Sequence, residues 1–301
     1  MPTHDIAQFA PRTGRLIKEN GEIINIGDGN PLAYLDVDTG LITKVNGHEG
    51  MIHTIGYLTA VGIGKIPGHE SFRGFGERSG ITNIAAGNDV WQGTATTVPI
   101  PSQTVGEQMT VVSTSAADAN AGTGIQTLDV HGLDISGNPQ SEVITMNGVT
   151  PVNTVRANWR FIQSIHAETV GTGGSAAGTI SIYKTGSASA IYNVLAAGGN
   201  MSLNSARMVP LGKTFYLCNL SVMAADNTSV SVRLRSTSTF ENTLTPGYFF
   251  LFKDVSILLN SSREKTFCVP LKFPELCIIK FTGYASTNGA AAAINYDGFI
   301  E

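Results

Sequence analysis

Apolar and polar residues alternate one for one along much of this chain. In Val230-Ser-Val-Arg-Leu-Arg235, Val230, Val232 and Leu234 point one way and Ser231, Arg233 and Arg235 the other. A period of two marks a strand with one buried and one wet face. Just upstream, Tyr216, Cys218, Leu220 and Val222 share a face, and Ala225-Asp-Asn-Thr228 supplies turn residues. Lys213–Ser236 is therefore expected to form a long antiparallel hairpin, the wall of a β-sandwich.

The same alternation recurs elsewhere. Gly124–Leu133 sets Leu128 and Val130 against Asp129 and His131. Asn158–Val170 places Trp159, Phe161 and Ile165 inward, with Arg160, Ser164, His166 and Glu168 outward. Further strands are expected over Glu107–Ser115, Ser141–Asn147, Thr179–Lys184, Tyr248–Leu259, Thr266–Lys272, Leu276–Tyr284 and Ala291–Ile300. No helix-length amphipathic pattern interrupts them. The prolines at 99, 101, 151, 210, 246, 270 and 274 flank these runs, as edge and turn prolines should. About 12 to 15 strands with turn chemistry between them imply an all-β chain, in one or two antiparallel β-sandwich or jelly-roll domains. Residues 86–200 supply the first half and residues 201–301 the second.

Residues 1–85 read differently. Thr13–Asp28 makes a hairpin turning at Asn20-Gly21. Beyond it, glycines 29, 40, 47, 50, 56, 62, 64 and 68 are too closely spaced for long regular elements. Such a stretch is expected to be an extended, Gly-rich N-terminal arm that becomes ordered against a partner. The partner contacts expected on it are Arg12, Arg15, Ile17, Ile24, Ile26, Phe72 and Phe75.

Composition narrows the function. Charged residues are 14% of the chain, against roughly 25% in an ordinary soluble domain. A surface that poor in charge suits a protein whose faces meet other subunits. A net charge of −4 and a pI near 5.9 argue against a nucleic-acid binder, which would need a basic stripe. No apolar run approaches the roughly 18 residues of a membrane span. Met1-Pro-Thr-His-Asp5 is not a signal peptide, so synthesis in a cytoplasm, without an export address, is expected. Cys218, Cys268 and Cys277 lack CxxC spacing; buried reduced thiols are expected, the alternative being a Cys268–Cys277 bridge.

Candidate chemistry is sparse. Gly212-Lys213-Thr214 copies the end of a phosphate-binding loop, but position 207 is Arg and a strand follows. Gly62-Ile-Gly64-Lys65 fails likewise, and Gly171-Thr-Gly-Gly-Ser175 suits a hairpin turn. Asp129, His131 and Asp134 are the tightest acid–histidine cluster. Residues 129 and 131 share a strand face and could both hold a metal, but an outward polar face calls for the same residue types. No catalytic residue, cofactor or metal is expected, and the chain reads as a non-enzyme.

Several segments resemble virion structural proteins of tailed bacteriophages. They are Thr13–Asp28, Gly87-Asn-Asp-Val-Trp-Gln-Gly93, Val105–Ser115, Ala196–Leu203 and Pro210–Thr214. The resemblance implies a β-rich protein that forms a homotrimer or ring. It would attach by its N-terminal arm to the major capsid protein, as a decoration (cement) protein or head fibre. The alternative is a neck or tail component or receptor-binding fibre, touching a host surface glycan through aromatics such as Trp91 or Tyr248. In either case the protein would reside in the virion, with no nucleic-acid or membrane partner. A reading of another class, a secreted carbohydrate-binding or hydrolytic β-protein, is disfavoured by the missing signal peptide and an aromatic content of 8%.

Overall fold

A computed structural model describes residues 56–84, 86–225, 229–237 and 258–301, and the backbone of strands within residues 1–50 and 250–257. The chain divides into two units, Met1–His69 and Glu70–Glu301. In the first, β1 (Gln8–Phe9), β2 (Arg15–Ile17) and β3 (Ile23–Asn25) form an antiparallel sheet, with Leu16 opposite Ile24. The hairpin expected around Asn20-Gly21 is thus present as a β2–β3 ladder. A second pair joins β4 (Leu32–Leu35) to β5 (Ile42–Val45). The sequence gives no sign of the short helix α1 (Tyr57–Gly62), which buries Ala60 and Val61. It stops at Gly64, whose φ of 69° only glycine adopts freely.

The second unit is antiparallel β throughout, in four blade-like sheets. Its strands are β6 (Glu70–Ile81), β7 (Asn88–Asp89), β8 (Met109–Ser113), β9 (Ile125–Asp134), β10 (Pro139–Thr145), β11 (Val152–Asn153), β12 (Trp159–Val170) and β13 (Ile180–Lys184). There follow β14 (Ile191–Leu195), β15 (Arg207–Met208), β16 (Phe215–Ala225), β17 (Val230–Ser236), β18 (Phe250–Leu258), β19 (Ser261–Phe273), β20 (Ile278–Ala285) and β21 (Ala290–Ile300). The sheet orders are β10-β9-β12, β11-β8-β13-β14, β15-β20-β17-β18 with β7 beside β20, and β19-β16-β21-β6.

Alternation explains where the cores lie. Leu128, Val130 and Ile165 from the first sheet meet Val111, Ile180 and Ile182 from the second in one buried cluster. Leu220, Val222 and Ile294 from the fourth sheet meet Val230, Val232 and Phe281 from the third in another. A smaller cluster around Trp91 gathers Leu133, Phe161 and Val194 with Met208 and Ile278. Burying each such side chain contributes about 1.5–3 kcal/mol, so these faces dominate the folding energy.

Several expectations need correcting. Lys213–Ser236 is not a hairpin: β16 lies between β19 and β21, and β17 between β18 and β20. Both strands aim apolar faces into one cluster, and alternation cannot tell a neighbour in the sheet from a strand across the core. Residues 226–228, where the turn was expected, lie outside the described residues. A bulge at Cys218 also shifts the face, so Leu217 and not Tyr216 is buried with Leu220 and Val222. Residues 70–81, expected in the arm, form β6 and pair with β21 along its length. Pro270 falls inside β19, but on a sheet edge where residues 267–270 have no partner on β16. Cys218 and Cys277 are buried and Cys268 is exposed, and no disulfide bridges Cys268 to Cys277.

Candidate functional site

Asp129, His131 and His166 converge on the outer face of the β10-β9-β12 sheet. Period two puts Asp129 and His131 on one side of β9. His166 arrives through a register slip in β12. Ile162 faces Gly132, but Ser164, not Gln163, faces His131, so Gln163 is an extra residue. The slip aligns Ile165 with buried Val130 and His166 with Asp129. Without it, every later side chain of β12 would face the opposite way. Gln163 itself is clamped to Met208, its Oε1 accepting the Met208 N–H and its Nε2 donating to the Met208 carbonyl.

The resulting geometry is tight. His131 Nε2 lies 2.8 Å and His166 Nε2 3.5 Å from the same oxygen, Asp129 Oδ2. The two imidazoles stack at 4.9 Å between centroids with 23° between planes. One ligand atom from each of the three residues lies within 4.8 Å of the others. Asp129 is 15% exposed, against 44% for His131 and 35% for His166, so the carboxylate forms the floor and the rings the rim. Its second oxygen, Oδ1, is buried and receives no hydrogen bond. Asp134, expected beside this pair, instead caps a turn, its Oδ1 accepting from the Asn138 N–H at 2.9 Å. His131 also lines an open polar cleft of about 630 Å³, with Ser141, Arg156, Asn158, Gln163 and Arg207.

The other buried acids hold the fold together. Asp118, wholly buried, accepts from Ser113 Oγ (2.6 Å) and from the N–H groups of Ile125, Ala177 and Gly178 (2.8–2.9 Å). Burial pushes its carboxyl up, but those four donors outweigh burial and hold it below the ordinary aspartate range. Glu107 is similar: burial is opposed by Tyr192, Lys184 and the Ser102 N–H, and its carboxyl is lowered. The Tyr192 phenol is pushed well up by burial and by Glu107. Asp89 pairs with buried Lys280 at 2.7 Å and accepts from Thr282 and the Val98 N–H.

No family model matches this chain. No curated protein matches it either.

The remaining sequence candidates resolve as turns or packing. Gly212 donates to Glu275 and leads into β16, with no helix to cradle a phosphate. Gly171–Ser175 joins β12 to β13, and Gly62–Lys65 ends α1. Trp91, suggested as a glycan platform, is 1% exposed and donates to the Ala95 carbonyl, so it cannot meet a ligand. Tyr248 lies outside the described residues, as do Arg12 and Ile26. Arg15, Ile17 and Ile24 fall on β2 and β3. Phe72 and Phe75 are half-buried on β6, Phe72 against the Phe215 ring at 4.6 Å.

Proposed function

We propose that this chain is a non-enzymatic structural protein of a tailed-phage virion, in which the N-terminal unit grips the capsid shell and the β-body covers or projects from it. The observation that carries this reading is the division at His69. The leader's described strands are two to four residues long, too short to be stable alone in water. Docking would supply the missing contact surface, at the cost of ordering the chain. The body, by contrast, spends its buried acids on internal bonds. We read its four sheets as two face-to-face sandwiches, one spanning β8–β14 and the other built from β6, β7 and β15–β21. Assembly as a homotrimer or ring, and contact with the major capsid protein, belong to the same proposal.

The test is immunolabelling of particles with antibody raised against residues 70–301. Label over the head shell, lost when residues 1–69 are deleted, is the expected result; particles that never carry the label would overturn the reading. A neck or tail position is the second reading. The polar cleft beside His131, with Arg156, Asn158 and Gln163 on its walls, favours it as a saccharide-sized recess. Label confined to the tail, with binding on a glycan array, would select it.

A further inference from the structure

We propose that Asp129, His131 and His166 bind one divalent cation of borderline softness, zinc being the type, with a coordination position left open to solvent. The argument rests on three observations. First, the donors are already assembled: two imidazole nitrogens approach one carboxylate oxygen at 2.8 and 3.5 Å. The tetrahedral ligand shell of a zinc ion needs donor separations of roughly 3–3.5 Å, given metal–ligand distances near 2.0–2.1 Å. All three donors lie within 4.8 Å of one another, and because the rings now stack with 23° between planes, both imidazoles must turn to aim their nitrogens at one ion. Second, the carboxylate has an unused face. Asp129 Oδ1 is buried with no donor, and a buried acceptor left unpaired is costly. A cation beside the carboxylate compensates both oxygens, whereas the hydrogen bond with His131 satisfies only Oδ2. Third, the backbone makes a specific provision for the second histidine. The extra residue Gln163, held at both ends of its amide by Met208, brings His166 opposite Asp129.

Ligand type selects the ion. Two imidazoles and one carboxylate suit zinc, nickel, copper or ferrous iron, and disfavour calcium and magnesium, which take oxygen shells. Three protein ligands leave a fourth position, and the exposure of both rings places it on the solvent side. That position could take water, or an anionic group entering the adjoining cleft that His131 shares.

The full-length chain, stripped with chelator, would be titrated with zinc chloride by calorimetry. One saturable equivalent per chain is expected, not displaced by excess magnesium. The step should vanish in Asp129→Ala and in His166→Ala, and persist in His69→Ala and Cys268→Ser, which remove an imidazole and an exposed thiol elsewhere. Zinc should also raise the melting temperature of the wild-type chain but not of the two ligand variants, whose metal-free melting shows whether they fold. Cobalt bound to the wild-type chain supplies a readout independent of any variant: its visible spectrum should show nitrogen and oxygen donors without a thiolate charge-transfer band. Absence of a saturable step, its survival in both ligand variants, or a thiolate band would each overturn the proposal.

Discussion

At the scale of single residues, Asp118 carries more of the fold than any residue in the candidate site. Four donors reach it from three places: the end of β8, the start of β9 and the approach to β13. Truncation to alanine would leave the buried N–H groups of Ile125 and Gly178, and the part-buried N–H of Ala177, without their acceptor. Asp118→Ala should cost about 3 kcal/mol or more, read as a lower urea midpoint, and Asp118→Asn less, since one acceptor oxygen survives. The same group, with Glu107, contributes to the acid response. Both carboxyls are held below their ordinary values of 3.8 and 4.5 in the folded chain. The unfolded chain therefore takes up protons first as the pH falls. The stability they confer is complete above about pH 5 and is lost as the pH drops through the lowered folded values. Melting temperature measured from pH 6 downward should fall through this window, and the Asp118→Asn chain should show a shallower decline.

At the scale of elements, the bulge at Cys218 in β16 misleads a reading by strict alternation, whereas the one at Gln163 in β12 does not, because a further slip at Arg160 restores the count. The one at Gln163 turns His166 toward Asp129. The one at Cys218 turns Tyr216 out of the core and brings its carbonyl against β21. A Cβ placed on Gly298 would lie 1.8 Å from that oxygen, a contact that backbone cannot relieve by rotation. Gly298→Ala should therefore destabilise by about 1–3 kcal/mol, measurable by chemical denaturation. Gly174→Ala, where a side chain would meet open space, should cost only the strain of its φ of 71°. Inward and outward faces were otherwise readable: β9 and β17 hold the predicted sides residue for residue. The candidate site was half legible. Asp129 and His131 share a face by counting, and His166 was assigned outward on its own strand, but nothing local says that β12 lies beside β9.

For the molecule as a whole, the boundary between leader and body is the decisive feature. β6 belongs to the body: Ile81 enters its core, and the Arg78 guanidinium donates to the carbonyls of Asp89, Gly93 and Ala95. A chain of residues 70–301 should thus melt cooperatively, near the temperature of the full-length protein. A chain of residues 86–301 loses that clamp and uncovers the edge of β21, so it should melt lower or aggregate. Circular dichroism melts of the two truncations distinguish these outcomes. A leader that extended to residue 85 would instead leave both equally stable.

The residue string alone determined the all-β class, the inward and outward sides of most strands and the hairpin at Asn20-Gly21, because side-chain alternation and turn chemistry act over a few neighbouring positions. Tertiary structure decided which strands share a sheet, where a bulge resets the count, and that a histidine 37 positions downstream of Asp129 comes to lie across from it. Strand pairing is a contact between distant parts of the chain. It is chosen by how whole faces fit together, and no single segment records that choice.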